Sequence, residues 1–156
     1  MSKEFEEFNK FMMREMKSAC SKKAFDHMTN PRNVGGFEDA TGYGSASEQG
    51  GDSLEIWLRI EDGTVAKIGF FVKGCTTLIA AGSALTEMVK GKTAQEAQEV
   101  TPEGLIKYLG RLPTKTEHCA DMAVDALREA VMSHLVSELT KNFRGEKGFR
   151  TFRLEL

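Results

Sequence analysis

The chain has 156 residues, of which 40% are hydrophobic and 28% charged, with a formal net charge of −2. That length supports one domain with a real core, and the near-neutral charge removes the electrostatic reason to expect nucleic acid as a partner. Three cysteines are too few for a disulfide framework and fit a reducing cytosol. No apolar run is long enough to span a membrane, and Glu4, Glu6 and Glu7 stand where a signal peptide would be basic, so the expectation is a cytoplasmic protein without a membrane partner.

In chain order, Phe5, Phe8, Met12, Met16 and Ala19 recur at helical spacing and predict a helix over 3–20. Its Phe/Met stripe either packs on the domain or is an exposed surface for a partner, including a second copy of the chain. Helix continues or restarts over 21–29 and stops at Asn30-Pro31, because the residue before proline is pushed out of the α region. Residues 33–51 are rich in Gly, Ser and Ala and hold one irregular strand near 40–48. Leu54, Ile56, Leu58 and Ile60 alternate with polar or amphipathic residues, Asp62-Gly63 turns the chain, and Ala66, Ile68, Phe70 and Val72 return as a second strand.

A helix follows from about Thr76 to Lys90, stopped by Gly91. Thr93 caps a short helix to about Glu99, and Thr101-Pro102-Glu103 opens another, since proline fits a first helical turn. Thr114-Lys115-Thr116-Glu117 reads as a capping box for a last helix that ends near Asn142, with Met122, Ala126, Leu127, Ala130, Val131 and Leu135 as its apolar stripe. The tail alternates weakly at Phe149, Phe152, Leu154 and Leu156 and is either an added strand or a loosely packed end.

The reactive residues are few. Cys75 stands where a strand pattern hands over to a helix, and Cys119, preceded by His118, stands in the first turn of another helix. A helix N-terminus stabilises a thiolate, which is the nucleophilic and metal-binding form; buried structural cysteines are the alternative. His118 is either a ligand or a surface histidine. Asp52, after Gly50-Gly51, either caps a turn or supplies a carboxylate to a metal. Cys20 reads as a small buried hydrophobe, and His27 as a structural histidine with a backbone partner. There is no phosphate-binding loop, nucleophile elbow or Cys-x-x-Cys pair.

These residues resemble the family of NifU N-terminal domains and IscU scaffolds for iron–sulfur cluster assembly, from about Lys22 to His134. The matching segments, in the family's order, are Asp26-His27-Met28-Thr29-Asn30-Pro31-Arg32-Asn33-Val34-Gly35, Gly51-Asp52, Lys73-Gly74-Cys75, Val89-Lys90-Gly91-Lys92-Thr93 and His118-Cys119. The resemblance implies an α+β fold: a small, mainly antiparallel three-stranded sheet packed against several helices. An N-terminal helical extension (1–20) and a C-terminal tail (143–156) then flank a scaffold domain at 21–142.

The resemblance also implies a scaffold or carrier rather than an enzyme. A transient cluster, [2Fe–2S] in the first instance, or zinc in the same site, would be held by Cys75, Cys119, His118 and Asp52. The implied partners are a cysteine desulfurase as sulfur donor and recipient apo-proteins. Two departures stand out. The family's first cysteine falls at Gly50, which leaves Cys20 as a conceivable substitute thiol. The family's Leu-Pro-Pro-Val-Lys segment, bound by a dedicated Hsp70 chaperone, stands here as Leu112-Pro113-Thr114-Lys115-Thr116, so delivery through that chaperone is not implied. Competing readings are a persulfide acceptor of the SufE type, carrying sulfur on Cys119 or Cys75, and a regulatory homologue that has lost cluster assembly.

Overall fold

The computed structural model describes residues 2–113 and 117–145. The element order is α1 (Lys3–Ala19), α2 (Lys22–Thr29), β1 (Gly42–Ser47), β2 (Ser53–Glu61), β3 (Thr64–Lys73), α3 (Thr76–Val89), α4 (Ala94–Gln98), α5 (Pro102–Leu109) and α6 (Glu117–Gly145). The three strands form an antiparallel meander in the order β1-β2-β3. No helix among the described residues is long and apolar enough to cross a membrane.

Alternation builds the core. Leu54, Ile56 and Leu58 of β2 point inward and are fully buried, meeting Phe70 of β3 and the apolar faces of α3 and α6. The inward set of β3 differs from the simple alternation: Val65 is buried and Ala66 exposed, while Ile68 and Phe70 remain inside. The cause is a register irregularity between Arg59 and Ile60, which pairs Ile60 with Val65. An extra residue in a ladder moves the side chains beyond it to the other face.

Glycine sets how closely α6 lies on the sheet. A Cβ at Gly44 would stand 2.2 Å from the Ala126 carbonyl oxygen, and one at Gly42 would stand 2.3 Å from that of Ala130. Helix and strand therefore touch backbone to backbone, and they run in opposite directions.

The Asp26–Gly35 stretch is structural. Asp26 pairs with Arg32, Asn33 reaches the Thr86 hydroxyl at 3.0 Å, and the Gly35 N–H donates to the Phe70 carbonyl at 2.7 Å. His27 is buried, as a structural histidine should be, but its partners are side chains rather than backbone. Nδ1 lies 2.7 Å from the Ser83 hydroxyl and Nε2 lies 3.5 Å from the Glu87 carboxylate.

The N-terminal stripe does not pack on the domain. No residue of α1 is buried, and Phe5, Phe8, Phe11, Met12 and Met13 are all exposed. Only Met16 is half-buried, next to Cys20. Helix α6 also runs beyond the expected end, to Gly145. Its stripe is buried through Val131 and again at His134, which meets the Thr41 hydroxyl at 2.7 Å, whereas Leu135 is exposed together with Met132, Val136, Leu139 and Phe143. Thr114, Lys115 and Thr116 of the expected capping box, and the expected tail strand, lie outside the described residues.

Candidate metal and sulfur site

Three strand ends and two helix starts meet at the same end of the sheet. The last β1–β2 pair is Ser47 with Ser53, so Glu48 and Asp52 come next, opposite one another where the chain reverses. The Glu48 N–H donates to the Asp52 carbonyl at 2.9 Å, and the Gly51 N–H donates to the Glu48 carbonyl at 3.0 Å, closing the loop. Ser53 also pairs with Lys73, which places Gly74 and Cys75 beside Asp52. A Cβ on Gly74 would stand 2.7 Å from Asp52 Oδ1, so glycine there lets the carboxylate lie against the chain one residue before Cys75.

Simple repeat lengths explain why His118-Cys119 arrives at this place. From Gly44 to Glu48 a strand advances about 14 Å. From Ala126 back to His118 a helix covers about 12 Å. Since Gly44 lies against Ala126, the opposed run of β1 and α6 carries Glu48 and His118 to the same end. There His118 Nε2 lies 3.8 Å from Glu48 Oε2. One ligand atom from each of Glu48, Asp52 and His118 lies within 4.8 Å of the other two.

The two sulfurs are neighbours. Cys75 Sγ is 3.8 Å from Cys119 Sγ, and Cys119 Sγ is 3.7 Å from His118 Nε2. Two thiolates on one tetrahedral metal with bonds of about 2.3 Å would stand about 3.8 Å apart. The pair therefore already has the spacing that a shared zinc or iron requires, and all three cysteines are free thiols.

Their surroundings differ. Cys75 is exposed and caps α3 at its N-terminus without a side-chain hydrogen bond of the capping kind. Cys119 is 1% exposed. Burial pushes its thiol up to about 12, with further upward contributions from Cys75 and from the Asp52 and Glu48 carboxylates. Without a cation, negative charge in this pocket opposes the Cys119 thiolate; a bound cation reverses that balance.

Cys20 has different partners. It ends α1, is buried, and donates its S–H to the Met16 carbonyl at 3.0 Å. Burial raises its pKa while the nearby Arg111 opposes the rise, and Arg111 fixes this segment by donating to the Ser18 carbonyl at 2.8 Å. Glu48 was not singled out by sequence. The usable signal was its place opposite Asp52 in a hairpin whose register could be read from the Leu54–Ile60 alternation.

Residues 19–140 match the family described as NifU-like N terminal domain. The chain belongs to this family. Among its relatives is the iron-sulfur cluster assembly scaffold protein IscU 1 of Archaeoglobus fulgidus, 43% identical over 115 residues, which are 73% of this chain and 75% of the relative. The IscU scaffold protein of Aquifex aeolicus is 36% identical over 121 residues, covering 76% of this chain and 77% of that protein. A solved NifU-like N-terminal structure from Brucella abortus superposes with a TM-score of 0.62 at 16% identity, over 80% of this chain and 98% of the other. That likeness matches the expected fold of a three-stranded antiparallel sheet with several helices.

Proposed function

We propose that this protein is a scaffold on which iron and sulfide are assembled into a small iron–sulfur cluster, [2Fe–2S] in the simplest case, and from which the cluster passes to recipient apo-proteins. The observation that carries the reading is the sulfur pair: Cys75 and Cys119 lie 3.8 Å apart at an open end of the sheet, with His118, Asp52 and Glu48 around them. The cluster is cargo rather than a resident cofactor. With one fewer thiol than the three the family pattern carries, it should be held less tightly, which suits transfer. Zinc would fit the same tetrahedral thiolate pair.

The exposure of Cys75 supports a role in sulfur acceptance within the same cycle. Its thiolate would attack the outer sulfur of a persulfide on a cysteine desulfurase. A new S–S bond forms at Cys75, the donor's S–S bond breaks, and the donor leaves as a thiolate, so the transfer is redox-neutral. The buried Cys119 is less accessible to a bulky donor protein.

Anaerobic reconstitution with iron, cysteine, a reductant and a desulfurase tests both parts. A visible cluster spectrum that disappears in Cys75→Ala and in Cys119→Ala supports the scaffold. A persulfide mass shift on Cys75 with no cluster leaves only the sulfur-acceptor role. Neither signal leaves a protein of this family without its chemistry.

A further inference from the structure

The loop that carries Gly50 also carries an acidic residue that no part of the family resemblance uses. Glu48 and Asp52 face each other across the first unpaired position of the β1–β2 hairpin. Like charges directly opposite one another on a sheet are destabilising. Here neither carboxylate has a Lys or Arg ion-pair partner among the described residues; Glu48 instead faces the His118 imidazole at 3.8 Å. Three hard or borderline donors thus converge from the hairpin loop and the start of α6, next to a sulfur pair with the spacing of a metal site. Gly50, at the position of the missing thiol, has no side chain and so supplies no donor, although a Cβ there would meet nothing within 4 Å.

We propose that Glu48 is a metal-binding residue that takes over the donor function left vacant at Gly50, forming with Asp52 and His118 an O,O,N half-site for a divalent first-row cation beside the Cys75–Cys119 half-site. This rests on the reading of the thiol pair as a metal site. Carboxylate and imidazole donors suit Fe2+ and other divalent first-row ions better than they suit soft metals. Bonds of about 2.0–2.2 Å to one tetrahedral ion would draw such donors to about 3.4 Å apart. Glu48 is exposed, so its rotamers are free to close that gap from the 4.8 Å envelope now seen. The arrangement divides the labour: the sulfur half favours a thiophilic ion or the cluster, and the carboxylate half favours a ferrous ion.

The test is anaerobic titration of the full chain with Co2+ as a spectroscopic stand-in, comparing wild type, Glu48→Gln and the charge-matched control Glu38→Gln. The expected result is at least a tenfold loss of Co2+ affinity in Glu48→Gln, wild-type affinity in Glu38→Gln, and a retained sulfur-to-cobalt charge-transfer band. The metal-free Glu48→Gln protein should melt at or above the wild-type temperature, because a like-charge contact with Asp52 is relieved. Equal affinity of Glu48→Gln and wild type overturns the proposal, as does equal weakening in the two variants. A lower metal-free melting temperature would assign Glu48 a structural role and also overturn it. The thiol reading fails separately, if the charge-transfer band is absent from wild type or survives in Cys75→Ser/Cys119→Ser.

Discussion

Cys75 and Cys119, 44 positions apart in the chain, hold their sulfurs 3.8 Å from each other while differing in access: one is exposed and the other buried. That asymmetry within a close pair sets the first prediction.

Limited treatment of the metal-free protein with iodoacetamide at pH 7.5 should modify Cys75 first and well ahead of the others. The thiolate is the reacting species. Burial and neighbouring negative charge push Cys119 up to about 12, and burial raises Cys20. Peptide mass spectrometry reads the order, and comparable rates at all three positions would contradict the described pocket.

Metal should stabilise the fold in proportion to its binding. An ion that binds only the native state adds about 2.7 kcal/mol at a hundred times its dissociation constant. Thermal melts with zinc and then with excess chelator should differ for wild type and coincide for Cys75→Ala/Cys119→Ala. Because Cys119 is protonated in the empty site near neutral pH, zinc uptake should release protons, measurable in weakly buffered solution.

Gly50→Cys should restore a third thiol at little structural cost. The position is exposed and a Cβ there meets nothing within 4 Å. The reconstituted cluster should persist several-fold longer in chelator than the wild-type cluster, with a change in stability within about 0.5 kcal/mol. An unchanged cluster lifetime would mean that the loop does not approach the metal.

Gly44→Ala should behave in the opposite way. Its Cβ would press into the Ala126 carbonyl oxygen and the Ala130 amide nitrogen, both backbone atoms that cannot rotate away. Overpacking of this kind costs about 1–3 kcal/mol, and urea unfolding should show a lower midpoint. Displacement of α6 should also weaken metal binding, although residue 44 touches none of the ligands.

Acid should weaken the fold through His27. Burial, with the nearby Arg32 and Lys23 adding to it, holds this imidazole below its ordinary value of 6.5, against the opposing pull of Glu87 and Asp26. The folded state therefore favours the neutral ring. The resulting stability is fully present above about pH 6.5 and is lost as pH falls through the depressed folded value. Urea midpoints at pH 7.5 and pH 5 should diverge in wild type. His27→Gln should be less stable at pH 7.5 and should lose less on acidification.

The local readings that came true rest on short-range physics. Alternation in Leu54–Ile60, proline after Asn30, Thr93 at the start of a helix and the glycine after Lys90 each act within a few residues, so the chain itself states them. The capping box at Thr93 is present in full. Sequence also supplied Asp52, Cys75, His118 and Cys119 as a set through ordered motifs, and the structure places their donor atoms around one end of the sheet. What needed tertiary structure was everything set by packing between distant segments. The bulge at Arg59/Ile60 turned Val65 inward in place of Ala66, and the α1 stripe and Leu135 stayed exposed, although their spacing reads as a core-facing stripe. Glu48 joined the site because two glycines let α6 lie flat on β1 and carry His118 to the hairpin end. Spacing along a chain fixes which face a residue occupies within its own element; which faces meet depends on close approaches between backbones far apart in sequence, and those decide where the chemistry assembles.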